Sequence, residues 1–378
     1  MVIHIKTFVL LSLLFLSPIT SAIVPNISKG HGAILYDATQ TSGPNSAETN
    51  SPGQWIANIS AFNAGANAAS KITRLYPYSG DIKINCPNGA SSCVYSGLNQ
   101  NVFVGYNSPA YGQASVSSYR TSFPNALILA IIDADTTSLP LLSNVDVGAG
   151  VAGVLTAQLC ADPKVDGVFF DLEPFDFNQG QGQFSLYKQT AINLASPACI
   201  DANHPKGRVM AIFVNPNKVS NWSIVAGMLN NNGYLVVSAY DVNDQTPPSP
   251  TPYNLYTSSV TGKIQAFMDP NSIQYKIPYT VAIPAAASFS EFEQFGHYDT
   301  SYPNDFQVST DYRNLGFTQL AYVQSARAIL LANAKSPYYL GTDYWTWSQY
   351  ISPSKSQNEM LLPNIPSATM VSYLQQYG

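Results

Sequence analysis

Eight short apolar runs separated by helical patterns restrict the fold of this chain more than any other feature. They lie at 32–36 (GAILY), 71–76 (KITRLY), 126–132 (ALILAII), 166–172 (DGVFFDL), 208–214 (RVMAIFV), 234–240 (YLVVSAY), 278–284 (PYTVAIP) and 339–346 (YLGTDYWT). Most are apolar throughout instead of alternating, the pattern of strands buried on both faces of a parallel sheet. Between the runs, Trp55, Ile56, Ile59 and Phe62 recur at helical spacing after Pro52, as do Phe317, Leu320, Ala321, Ala328 and Leu331 further on. A proline at the first turn marks a helix start. Eight strands alternating with helices predict a (β/α)8 TIM barrel, an α/β fold, with a doubly wound open sheet as the alternative. No linker divides the chain, and the Pro-rich stretch Pro247–Pro252 reads as a rigid surface loop. The expected organisation is a leader over 1–22 and one barrel over 23–378.

The leader is read from Met1–Ala22: Lys6, then the apolar run Phe8–Leu16, then the small residues Thr20, Ser21 and Ala22. The apolar run is too short to span a bilayer and fits a secretory signal peptide. The expectation is a secreted, extracellular or periplasmic protein with no membrane segment after cleavage. Four cysteines fit export: Cys86 with Cys93 across a local turn, and Cys160 with Cys199 across a longer loop, is one of three possible pairings. Asn26, Asn58 and Asn221 head glycosylation sequons. Charged residues make up 10% of the chain and the net charge is −5, which leaves no basic field for nucleic acid. His is scarce and the cysteine spacings match no zinc pattern, so neither metal nor cofactor is expected. Aromatics at 12% suit a neutral polar ligand such as a sugar.

In parallel barrels the chemistry sits at the C-terminal strand ends. The fourth run ends Asp171-Leu172-Glu173, and a side-chain period of two puts both acids on one face. Repulsion and partial burial raise the pKa of one such acid, which suits it to protonate a glycosidic oxygen. The same pair also serves as a helix cap or a cation ligand. The sixth run ends Tyr240-Asp241, a hydroxyl donor followed by an acceptor, and the eighth carries Trp345 and Trp347, either core filling or the floor of a sugar site. Asp133, Asp241 and Asp343 are candidates by strand position for a second catalytic carboxylate.

Taken together these endings resemble family 18 glycoside hydrolases, the chitinases and endo-β-N-acetylglucosaminidases. The motif D-G-x-D-x-D-x-E is matched by Asp166-Gly167-Val168-Phe169-Phe170-Asp171-Leu172-Glu173, M-x-Y-D by Ser238-Ala239-Tyr240-Asp241, the seventh strand by Ala282-Ile283-Pro284, and the eighth by Trp347-Ser348. The resemblance implies a secreted hydrolase of β-linked N-acetylglucosamine-containing glycans. Glu173 would act as general acid, while Asp171 and Tyr240 would position the 2-acetamido group of the substrate as nucleophile. Asp241, Trp347 and Asp166 form the expected substrate-binding set. Phe169 stands where the motif has its middle Asp, Ser238 replaces Met, and Ile131-Ile132-Asp133 replaces a Ser-x-Gly-Gly turn. These departures imply a distant branch whose activity Phe169 lowers. A carbohydrate-binding protein on an inactive barrel and a two-carboxylate glycosidase of another barrel family are the alternatives.

Overall fold

The computed structural model describes residues 27–36, 52–84, 102–104, 106, 113–134, 137–173, 175–239, 261–284, 319–351, 362–364 and 368–377. The expected leader, Cys86, Cys93, Tyr240 and Asp241 lie outside them.

Eight parallel strands close into a barrel: β1 (His31–Tyr36), β2 (Ile72–Ile84), β4 (Leu127–Ala134), β5 (Gly167–Phe170), β6 (Val209–Val214), β7 (Gly233–Ser238), β8 (Tyr279–Pro284) and β9 (Tyr339–Ile351). Each pairs in parallel with the next, and β9 returns to β1 with Gly32 opposite Asp343, a closure that excludes the open sheet. Two short antiparallel additions, β3 (Val102–Val104) and β10 (Leu362–Asn364), pair with β2 and β9. The helices are α1 (Pro52–Gly65), α2 (Gln113–Ser122), α3 (Val145–Ala161), α4 (Gly182–Leu194), α5 (Trp222–Leu229), α6 (Asp269–Tyr275), α7 (Gln319–Asn333) and α8 (Ala368–Tyr377), with a π-helical turn over Lys263–Met268. The fold is the (β/α)8 barrel expected from the strand runs.

Two separate cores explain why those runs are apolar throughout. Val168 and Phe170 of β5, Met210, Ile212 and Val214 of β6, and Leu235 and Val237 of β7 point outward into the shell shared with the helices. Phe169, Val209, Ala211, Phe213, Tyr234 and Val236 alternate with them and fill the barrel interior with Ile34, Tyr76, Leu129 and Ile131. Burying each large side chain on either face stabilises the fold by about 1.5–3 kcal/mol. Gly167 is required by close approach: a Cβ there would meet the Val209 carbonyl oxygen at 1.8 Å. Asn144 and Asn221 start α3 and α5 by accepting backbone N–H bonds of the first turn.

The N-terminal half of the barrel is held by ion pairs. Arg74 and Asp343 pair at 2.9 Å inside the barrel, and Tyr76 Oη donates to Asp343 at 3.0 Å while lying 2.7 Å from Tyr234 Oη. Burial opposes the Arg74 charge, but the adjoining Asp343 carboxylate holds the guanidinium well above its ordinary value. Gly32 leaves room for this group, since a Cβ would meet Asp343 Oδ1 at 2.1 Å. Cys160 and Cys199 are bridged, with Cα atoms 4.7 Å apart. Arg208 donates to the carbonyl oxygens of both cysteines and to Asp201. The bridge therefore lies at the N-terminal end, just before β5 and β6.

Candidate active site

At the other end, the β4–β5 ladder continues past the last strand residue, where Asp171 N–H donates to the Ile132 carbonyl at 3.2 Å. Leu172 packs in the outer shell, so the alternation turns Asp171 toward the barrel interior, above Phe169. Asp171 is buried and Glu173, two residues further, is exposed at the mouth. Phe169 is fully buried against Tyr76, with ring centroids 5.2 Å apart. Its layer is lined by Ile131 and Ala211, and a carboxylate in such a place would lose its solvation without a partner. That is the physical meaning of a phenylalanine at this position.

The segment after Glu173 supplies an aromatic wall that the sequence reading missed. Phe175 lies 5.4 Å from Phe213 and 6.1 Å from Phe177, ring to ring. With Leu139, Pro140, Leu142, Ser143, Asp176 and Gln183 it borders a cleft of about 370 Å³ beside the mouth. The signal was present: Phe175 continues the period-two series of Asp171 and Glu173.

Two further groups stand at the same end. Asp133 of β4 faces inward, by alternation with Leu129 and Ile131, and Asp81 of β2 is its register partner. Burial pushes the Asp133 carboxyl up to about 6; the N–H of Ala134, donating to it at 2.7 Å, opposes this and the Asp81 charge adds to it. Asp81 accepts a hydrogen bond from Tyr78 Oη. The second apolar run of the sequence ends at Tyr76, whereas β2 continues to Ile84 and carries Asp81 beyond that run. The buried Lys263 ammonium donates to the Ser238 carbonyl at 2.9 Å and to Ser238 Oγ at 3.3 Å, at the end of β7. A hydroxyl at position 238 thus serves a buried cation, which a methionine would not. Lys263 opens the π-helical turn, an irregularity that recurs at functional sites.

Two of the expected substrate-binding residues stand elsewhere. Asp166 precedes β5, and at about 3.3 Å per residue the five residues to Asp171 separate the two by the depth of the barrel. Its carboxylate accepts from Arg120 and from Ile128 N–H at 2.6 Å, and lies 3.0 Å from His204 Nε2. Asp166 is an N-terminal lock, not a mouth residue. A cleft of about 450 Å³ opens beside it, but Arg120, Asp166 and His204 spend their polar atoms on one another, on Asp201 and on the backbone. Trp347 is fully buried in the outer shell, where Nε1 donates to Asn58 of α1 at 2.8 Å and Phe62 meets the ring edge-on at 4.9 Å. Tyr344 and Trp347, three residues apart, both lie in the outer shell, so strict alternation fails between them, in the stretch where the β1–β9 register is irregular. Asp343, a candidate second carboxylate, is locked by Arg74 inside the barrel.

No family model matches the chain, and no curated protein matches it in sequence. Among solved structures, a class V chitinase from Pseudomonas fluorescens Pf-5 aligns at 9% identity and a TM-score of 0.50, over 92% of this chain and 99% of that one. A chitinase from Trichuris suis aligns at 12% identity and 0.48, over 85% and 92%. A GH5-4 endoglucanase from Clostridum cellulovorans aligns at 13% identity and 0.45, over 93% and 94%. At these identities the likeness is one of fold, the TIM barrel.

Proposed function

We propose that the protein is a secreted glycoside hydrolase of β-linked N-acetylglucosamine-containing glycans, with Glu173 as general acid. The observation that carries this reading is the pair at the end of β5, a buried Asp171 followed by an exposed Glu173 at the C-terminal mouth. Glu173 would protonate the leaving oxygen while the 2-acetamido carbonyl of the substrate attacks C1 from the other face, giving an oxazolinium that water then opens with retention. Asp171 would accept the acetamide N–H, Tyr240 would hold the acetamide oxygen, and Asp241 would bind the sugar beside the scissile bond. The Phe175 wall offers an apolar surface to a sugar ring. Export is supported by the Cys160–Cys199 bridge. No helix among the described residues is long and apolar enough to cross a membrane.

A second reading, a two-carboxylate glycosidase, draws on Asp133 at the same mouth. A substrate panel separates the two: chito-oligosaccharides and N-glycoproteins beside glucosides that lack the acetamido group. The proposal expects turnover of the acetamido substrates alone and a fall of about 10²–10⁴ in Glu173→Gln. Cleavage of glucosides would favour the second reading, and undiminished turnover in Glu173→Gln would end both.

A further inference from the structure

The cleft beside the mouth is framed by two loops that lead into neighbouring helices. Leu139–Ser143 form a short 3₁₀ turn before α3, and residues 175–181 lead into α4. The two loops are pinned together. A Cβ on Gly182 would meet the Leu142 carbonyl oxygen at 1.0 Å, so glycine alone lets α4 start against that turn. The buried Gln183 accepts the Asp176 N–H at 2.7 Å, and the Asp176 carboxylate accepts the Asn178 N–H at 3.0 Å. A cleft with walls held this way gives up little freedom when a ligand enters.

Phe175 joins this cleft to the mouth. It is half-buried, its ring lies 5.4 Å from Phe213 of the barrel interior, and it also borders the cleft. Phe177 stands nearly parallel to it at 6.1 Å and packs on Tyr187, 6.0 Å away ring to ring. Tyr187 is fully buried in its turn and meets Phe170 of β5 at 5.3 Å. The aromatic wall is therefore anchored in the outer shell and ends at the mouth.

The lining selects the class of ligand. Among the described residues that border the cleft, Asp176 is the one charged group, so an anion finds no cation there. A purely apolar ligand would cover Asp176 and Asn178 without replacing their water, which costs free energy. A pyranose ring answers both demands. Its C–H face packs on Phe175, while its hydroxyls donate to the Asp176 carboxylate and bond the Asn178 side-chain amide. At about 370 Å³ the cleft is near the lower end of the range for small-molecule sites, a volume for sugar units and not for a folded partner.

We propose that this cleft is a sugar-binding subsite distal to Glu173, so that the ligand is an extended neutral oligosaccharide running from the mouth across Phe175 to Asp176 and Asn178. The cleft reads ring faces and hydroxyls, and it needs no acetamido group on the sugar it holds. Where along the chain a bond is cleaved rests on the function proposed above; binding along this path does not.

Calorimetry on the full-chain Glu173→Gln protein tests the subsite, with the disaccharide and hexasaccharide of the chito and cello series as probes. In at least one series the hexasaccharide should bind about tenfold more tightly than the disaccharide. Phe175→Ala should remove most of that ratio. So should Ser143→Trp, which fills the cleft from an exposed position. Should Phe175→Ala fail to fold, Ser143→Trp still decides, because it cuts away no packing. A ratio near one, or one that survives Ser143→Trp, overturns the subsite. Turnover separates this result from the function. Length-dependent binding that Ser143→Trp abolishes, in a protein that cleaves no acetamido substrate, supports the subsite and overturns the proposed function. Equal kcat/KM on the acetamido disaccharide and hexasaccharide, unmoved by Ser143→Trp, overturns the subsite and leaves the function standing.

Discussion

The two ends of the barrel treat carboxylates in opposite ways. At the N-terminal end Asp201 lies 2.9 Å from both His204 Nδ1 and Arg208 Nη2. Burial opposes its charge slightly, but the hydrogen bonds from His204 hold it down at about 2. At the C-terminal mouth burial, with a smaller push from the Asp81 charge, raises Asp133 to about 6. One end uses charge to fix the chain; the other keeps acids near one another at a cost to stability. Stored cost of this kind is expected where groups must exchange protons.

The largest test of that contrast is Asp343→Asn. It leaves Arg74 charged in the barrel interior, and breaking a buried pair costs about 3–5 kcal/mol, read as a lower urea midpoint. An unchanged midpoint would break the comparison at its N-terminal side. Next, the double variant Cys160→Ser and Cys199→Ser opens a bridge spanning 39 residues and should lose about 2–4 kcal/mol in the same assay.

The mouth gives the opposite sign. The folded-state pKa of Asp133 lies above its unfolded value of about 3.9, so its ionisation penalises the fold increasingly from about pH 4 to about pH 6. Asp133→Asn should therefore stabilise the protein at pH 8 by on the order of 1–2 kcal/mol, with the gain fading toward pH 4. Loss of stability at pH 8 would show that Asp133 serves the fold instead. The smallest effect belongs to Asp201, which is partly exposed. Its folded pKa is depressed, so its contribution is present above about pH 4 and lost as pH falls to about 2. Asp201→Asn should flatten that acid limb in melting temperature and change stability at pH 7 by under about 1 kcal/mol.

The barrel was legible because burial on both strand faces writes itself as uninterrupted apolar runs, and all eight runs became barrel strands in order. Asp171 and Glu173 were legible for a related reason: a strand end is where such a run turns polar. Asp166 was misplaced because a motif read as one block ignores that its first and last acids are separated by the depth of a barrel. Trp347 was misplaced because alternation fails between Tyr344 and Trp347, where the β1–β9 register is irregular, and such an irregularity leaves no mark in composition.

By itself, then, the sequence determined the architecture and one pair of acids at one strand end, since both follow from periodicity along a single segment. Tertiary structure alone decided which acids stand together. Asp81, Asp133 and Asp171 come from three strands far apart in the chain, and only the lateral ladder makes them neighbours. The same is true of Arg74 with Asp343, and of Lys263 with Ser238: their energies arise from proximity and burial, which are properties of the closed barrel and not of any local stretch of residues.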